Sequence, residues 1–377
     1  MKGVEVFKKT CTFLFILVLR LCESFIIYMI INNFELAFCD SSFILTRNLW
    51  VGTKDVPTEE LSAAPILRLI IQTLRKIQRD YEIRPEKFVM IADKWDSTVG
   101  GYYVNCLTND IVKKLGIGGY KSSRKFVNAK VLEEMRSDPN VTPEQLAEAE
   151  REYAVNQVKF QVKKIMREEF PKIGIPWVEF SGYEFDQICT LAAFERYGKT
   201  ELPDLIITKD TDLLYSLTPG CKFFSLPTRG SEPKIVTYEE MYYQIPEELR
   251  NKGMSLYQYN AYLNAFGKGH NDLARTLKKG YDPTQSILDV ASGNYECIEP
   301  DRLELFQAQL KSYDLSIYPK LEEVKKCIIE DFPRIGEIPS TSTFREFCQK
   351  YDINGISDRY FSDFVSVFDQ KLFTIPG

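Results

Sequence analysis

FELAFCD at Phe34–Asp40, FVMIAD at Phe88–Asp93 and LIITKDTD at Leu205–Asp212 share one pattern: a short apolar run that ends in a carboxylate. Continuous apolar runs of this length read as strands buried on both faces, the habit of parallel sheets. Between the first two, Ala64–Arg79 places Ile66, Leu67, Ile70, Ile71, Leu74 and Ile77 at three-and-four spacing, which predicts an amphipathic helix. Strands alternating with such helices imply an α/β fold, a central mostly parallel sheet flanked by helices. Ligands of these sheets bind beyond the carboxyl ends of the strands. Asp40, Asp93, Asp210 and Asp212 all fall at that edge.

Val178–Glu184 (VEFSGYE) predicts a further strand, followed by a helix from about Asp186 to Tyr197 that Gly198 closes. Taken singly, each acid reads as a helix cap or a first-turn charge. Taken together, four strand–helix junctions carry six acids, and their mutual repulsion calls for a neutralising cation. A carboxylate-only set suits magnesium or manganese rather than zinc.

Composition narrows the chemistry. The chain has 377 residues, 44% hydrophobic and 27% charged, which excludes wholesale disorder. A single histidine, His270, excludes zinc sites built from several imidazoles. Nine scattered cysteines, with no CxxC pair, fit a reducing compartment and core thiols. The formal charge of −5 excludes a polycation, yet leaves room for local basic patches.

Residues 11–21 (CTFLFILVLRL) and 25–31 (FIIYMII) are apolar. Three readings stay open: an upstream extension of a protein that starts near Met29, a membrane anchor, or a packed extra helix. Arg20 and Glu23 interrupt the run before it reaches about 20 apolar residues, which weakens the anchor reading. Secretion would require a small-residue cleavage site, and cleavage before Asp40 would remove the first strand. A cytoplasmic location is the expectation.

The order of these segments resembles the 5′-nuclease superfamily: the 5′–3′ exonuclease domain of bacterial DNA polymerase I, flap endonucleases, and bacteriophage 5′-exonucleases and ribonuclease H. FCDSSFILTR at Phe38–Arg47 is similar to the family's first strand, and FVMIADKWD at Phe88–Asp96 to its second. SGYEFDQICTLA at Ser181–Ala192 resembles its G-Y-E-A-D-D-I signature, and TKDTDLL at Thr208–Leu214 its S-x-D-x-D-L-L. YKSSRK at Tyr120–Lys125 matches the Y-K-x-x-R of a helical arch, and GKGHND at Gly267–Asp272 resembles a helix–three-turn–helix loop. STSTFREFCQKYDI at Ser340–Ile353 resembles the C-terminal helical segment. Together the matches span about residues 34 to 355. Two departures stand out: Gln187 replaces the second aspartate of the signature, and His270 or Asn271 stands where the Gly267–Asp272 loop would carry a further acid.

The resemblance implies an apolar leader over 1–29, a nuclease core over 30–225 with its arch at about 95–170, and a helix–three-turn–helix with further helices over 226–377. It implies two magnesium ions, with manganese able to substitute, about 4 Å apart and bracketing the scissile phosphate. Asp40, Asp93, Asp186 and Asp210 would hold one ion, and Glu184, Asp212 and Asp272 the other. Lys121 and Arg124 would reach the reacting phosphate as catalytic groups.

Lys113, Lys114, Lys121, Arg124, Lys125 and Lys130 form an acid-free basic stretch suited to phosphates. Tyr120 and Tyr103 are candidates to stack on unpaired bases. Lys268, Arg275, Lys278 and Lys279 form a second basic group that could grip duplex backbone. LGIGGYKS at Leu115–Ser122 is no P-loop, because Tyr120 stands where a glycine must precede the lysine.

The implied activity is a monomeric, metal-dependent 5′–3′ exonuclease or flap endonuclease, possessing ribonuclease H-like character or not. It would act on 5′ ends of DNA or RNA/DNA hybrids in primer removal or repair, alongside replication proteins. Two alternatives stay open: a DNA-structure binder with weakened catalysis, motivated by Gln187, and a single-strand ribonuclease of the PIN type.

Overall fold

The computed structural model describes residues 34–80, 87–98, 101–103, 107–117, 127–225, 234–267, 274–332 and 341–353. The leader lies outside them. No helix among the described residues is long and apolar enough to cross a membrane.

The predicted strands form where the apolar runs stand: β1 (Ala37–Asp40), β2 (Phe88–Ile91) and β4 (Asp204–Thr208). β3 (Trp177–Val178), β5 (Cys221–Ser225) and β6 (Lys234–Val236) complete a six-stranded sheet ordered β3-β2-β1-β4-β5-β6. All neighbours are parallel except β5 and β6. Strand order reverses at β1, which lies between β2 and β4. The carboxyl end of β1 is therefore a topological switch point, where open α/β sheets form their binding crevice.

Alternation along the buried strands divides the core in two. Ala37, Cys39, Phe88, Met90, Leu205 and Ile207 pack on one face, against α1 (Ser41–Thr53), α2 (Ala63–Asp80) and the long α5 (Pro143–Glu169). All six apolar residues of the α2 stripe are buried there. Leu36, Phe38, Val89, Ile91 and Ile206 face the other way, toward α6 (Phe185–Arg196).

Before α5 come α3 (Asn109–Lys114) and α4 (Ala129–Ser137). α4 ends at Ser137 and α5 restarts after Thr142, with Asp138, Pro139 and Asn140 in the break between them. Thr142 caps α5 with a reciprocal capping box, and Pro143 occupies its first turn.

Beyond β6 the described chain is helical: α7 (Tyr238–Tyr242), α8 (Glu247–Asn251), α9 (Leu256–Ala265), α10 (Pro283–Ala291), α11 (Leu303–Lys311), α12 (Leu321–Lys326) and α13 (Thr341–Lys350). These helices do not all join one core. Leu256, Phe266, Ile287, Phe306 and Phe332 continue the α6-side cluster. Phe344 and Phe347 of α13 return to the other face, and Lys350 there pairs with Glu169 at 2.8 Å.

One expectation is corrected. Of the 178–184 segment only Val178 pairs in the sheet, with Trp177 just before it. The chain then turns back, so that Gly182 donates its N–H to the Lys94 carbonyl at 2.9 Å.

Candidate functional site

Asp40 is the last residue of β1 and the N-cap of α1. Its Oδ1 accepts the Phe43 N–H at 2.9 Å, which satisfies a donor that the helix leaves open. Its Oδ2 accepts the Thr208 hydroxyl at 3.0 Å, and Thr208 Oγ1 accepts the Asp210 N–H at 3.1 Å. The carboxyl ends of β1 and β4 are thereby tied together. Burial pushes the Asp40 carboxyl up to about 6 and the nearby Asp93 charge adds to this, against the bonds from Phe43 and Thr208.

Asp93 stands two residues past β2. Its Oδ1 accepts the Phe185 N–H at 2.7 Å, at the start of α6, and its carbonyl accepts Lys163 Nζ at 3.2 Å. Glu184 is the buried N-cap of α6. Asp186 lies in the first turn, where its Oδ1 accepts the Gln187 N–H at 2.9 Å. Asp210 caps the 3-10 turn Thr211–Ser216, its Oδ1 accepting the Asp212 N–H at 3.1 Å.

The tyrosines behind this edge register the same charges. After burial, the charges of Asp93 and Glu184 raise the pKa of Tyr102, and those of Asp186 and Glu184 raise that of Tyr318. Asp212 and Asp186 together raise that of the buried Tyr313. The charge of Asp93 thus reaches Asp40, and Glu184, Asp186 and Asp212 share a wall of tyrosines.

The sheet edge gathers these six acids but does not close them into a cage. Among the described residues, no three histidine, cysteine or acidic side chains come close enough to hold one ion. Asp40, Asp186 and Asp210 each commit an oxygen to a backbone N–H at their own junction, and Asp93 commits one to the Phe185 N–H at the start of α6. A carboxylate has about four lone-pair sites, so each retains acceptor capacity. The donors are all oxygen, the type a hard divalent cation takes, but as placed they do not converge on one ion. The seventh acid, Asp272, lies outside the described residues.

Of the basic candidates, Lys113 pairs with Asp110 and is 78% exposed. Lys114 is exposed, as is Lys130, which pairs with Glu134. Lys279 is exposed, whereas Arg275 and Lys278 donate to backbone carbonyls of Leu277 and Glu296, a structural use of both charges. Tyr120, Lys121, Arg124, Lys125 and Lys268 lie outside the described residues.

Tyr103 is turned inward rather than toward solvent bases. Its hydroxyl donates to Asp96 and its ring meets Tyr183 and Tyr318 edge-on. Gln187, counted from sequence as a missing acid, has a structural occupation. Its Oε1 accepts the Glu184 N–H at 3.0 Å and its Nε2 donates to the Tyr318 hydroxyl at 3.3 Å. Lys163 and Trp95 were not anticipated. Lys163 meets Asp93 across 70 residues of chain, with no local signal, while Trp95 could have been noticed two residues after the acid.

No protein-family model matches the chain, and no curated protein is similar to it. Among solved structures, it is similar to the bacteriophage T5 D15 protein co-crystallised with metal ions. The identity is 14% and the TM-score 0.43, over 83% of this chain and 98% of that one. It is also similar to the catalytic core of Rad2 in complex with DNA substrate, at 13% identity and a TM-score of 0.42, over 89% and 92%. Human GEN1 in complex with Holliday junction DNA matches at 11% identity and a TM-score of 0.42, over 91% of this chain and 75% of that one.

Proposed function

We propose that this chain is a divalent-metal-dependent 5′-nuclease that hydrolyses phosphodiesters at 5′ ends or flaps of DNA and RNA/DNA hybrids, in primer removal or repair. One observation carries the reading. The acids of four strand–helix junctions line the carboxyl edge of a mostly parallel sheet at its switch point, with Asp40 tied to β4 through Thr208. Asp40, Asp93, Asp186 and Asp210 are the candidate ligands of one cation, and Glu184, Asp212 and Asp272 of a second; the described side chains stand too far apart to hold an ion as placed, so binding requires them to draw together. Bound there, magnesium supplies positive charge at the phosphoryl oxygens and acidifies water. Backbone bonds restrain Asp40, Asp93, Asp186 and Asp210 before substrate arrives, which supports their use as donors. Lys113, Lys114 and Lys130 neutralise neighbouring phosphates.

The test uses the full chain and a nicked duplex with a 5′ flap, labelled on each strand in turn. Magnesium-dependent release of short 5′ products, abolished by EDTA and by Asp210→Asn, is expected. Binding with no product in either magnesium or manganese would overturn the reading.

A further inference from the structure

Trp95 lies two residues past Asp93 and is 57% exposed. A solitary surface aromatic needs no explanation, but this one is rigidly presented. On one side of it, Lys94 donates its N–H to the Tyr183 carbonyl and accepts the Gly182 N–H, at 3.2 and 2.9 Å. On the other side, Asp96 and Gly101 exchange both backbone hydrogen bonds at 3.1 Å. The Asp96 carboxylate accepts the N–H and hydroxyl of Thr98 and the hydroxyl of Tyr103. Tyr102 braces the indole edge-on, with centroids 5.6 Å apart.

The neighbourhood suits a nucleotide. Lys163 reaches the Asp93 carbonyl from α5. Phe160, three residues earlier and so on the same helix face, is 63% exposed. Trp95 and the Lys163 ammonium therefore stand at the strand end that carries Asp93, with Phe160 on the helix face of Lys163. Every base offers a π-face, and a fixed aromatic beside cationic groups is how proteins hold unpaired nucleotides without reading sequence.

We propose that Trp95 is the stacking platform for one unpaired base next to the phosphate held at the carboxylate edge. This rests on the nuclease reading and deepens it: it names a flap or single-stranded nucleotide as the ligand, and Trp95 as the residue that positions it.

The test measures binding of the full chain, with calcium in place of magnesium, to a 5′-flap duplex and to a blunt duplex of the same sequence. Trp95→Leu is expected to weaken flap binding by about tenfold and leave blunt-duplex binding nearly unchanged, with Trp95→Phe restoring most of the loss. Abasic residues are then placed one at a time along the flap. At one position the abasic substitution should reproduce the loss, and Trp95→Leu should add nothing further to it. Equal weakening of both duplexes, or full additivity at every abasic position, overturns the stacking role and leaves the nuclease reading standing. Failure of the unsubstituted chain to bind either duplex removes both.

Discussion

Asp93 and Phe185 are joined by a 2.7 Å hydrogen bond across 92 residues of chain, carboxylate to backbone N–H. The bond fastens the end of β2 to the first turn of α6, so one carboxylate serves both architecture and the candidate site. The two roles can be separated. Asp93→Asn keeps an acceptor for the Phe185 N–H but removes the charge, and should unfold in urea close to the unsubstituted chain while losing flap cleavage. Asp93→Ala should lose cleavage and also about 1 kcal/mol of stability, the typical worth of a helix-capping bond. Cleavage by Asp93→Asn at the full rate would remove Asp93 from the site.

The raised pKa of Asp40 makes stability depend on pH in a definite direction. Folding lifts this carboxyl from 3.8 to about 6, so the fold disfavours its charged form. The penalty is absent below the lower value, grows between the two, and is complete above the upper, at on the order of 3 kcal/mol. Asp40→Asn keeps the N-cap acceptor and carries no charge. In EDTA at about pH 7.5 it should unfold at higher urea than the unsubstituted chain, and the gap should close by about pH 4. Magnesium should narrow the gap at the higher pH by stabilising only the charged aspartate. A gap independent of pH would refute the assignment.

Much of this arrangement was legible before the structure, and the limits of that legibility are physical. β1, β2 and β4 could be read because a strand buried on both faces is a continuous apolar run, and α2 because its stripe is regular. β5 and β6 could not: Cys221–Ser225 carries Lys222 within it, and the three residues of β6 are too few to show a period. The 178–184 segment looked like a strand by composition, but its bonds to Lys94 bend it out of the sheet after Val178. Among the site residues, the acids announced themselves at strand ends. The uses of Lys163 and Gln187 depend on partners 70 and 131 residues away, which no local pattern encodes.

Gln187 offers a direct check on that last point. Restoring an acid with Gln187→Asp shortens the side chain, so it can no longer reach both the Glu184 N–H and the Tyr318 hydroxyl. It also places a charge in a buried position beside Glu184 and Asp186. The variant should be less stable by about 2 kcal/mol or more in urea unfolding, with flap cleavage no faster than that of the unsubstituted chain. Faster cleavage with unchanged stability would show that the position is a depleted metal ligand after all.

Gly267 closes α9 and opens the segment that resembles a helix–three-turn–helix loop. Its φ is +72°, and a Cβ there would lie 2.4 Å from Arg275 Cα and 2.7 Å from Arg275 N, both backbone atoms. Rotamer changes cannot relieve such a contact. The approach is fixed by the Thr276 hydroxyl on the Ala265 carbonyl and the Thr276 N–H on the Phe266 carbonyl. Gly253 provides the control, with a φ of +77° and open space where its Cβ would stand. Gly253→Ala should therefore cost only the strain of the left-handed conformation, about 1 kcal/mol. Gly267→Ala carries that strain and the backbone clash together, and should cost clearly more in the same urea series. It should also weaken duplex binding, because the loop it closes holds the exposed Lys279 and the anchored Arg275 and Lys278. Equal costs for the two alanines would mean that the chain around Arg275 yields, and that the close approach does not define this loop.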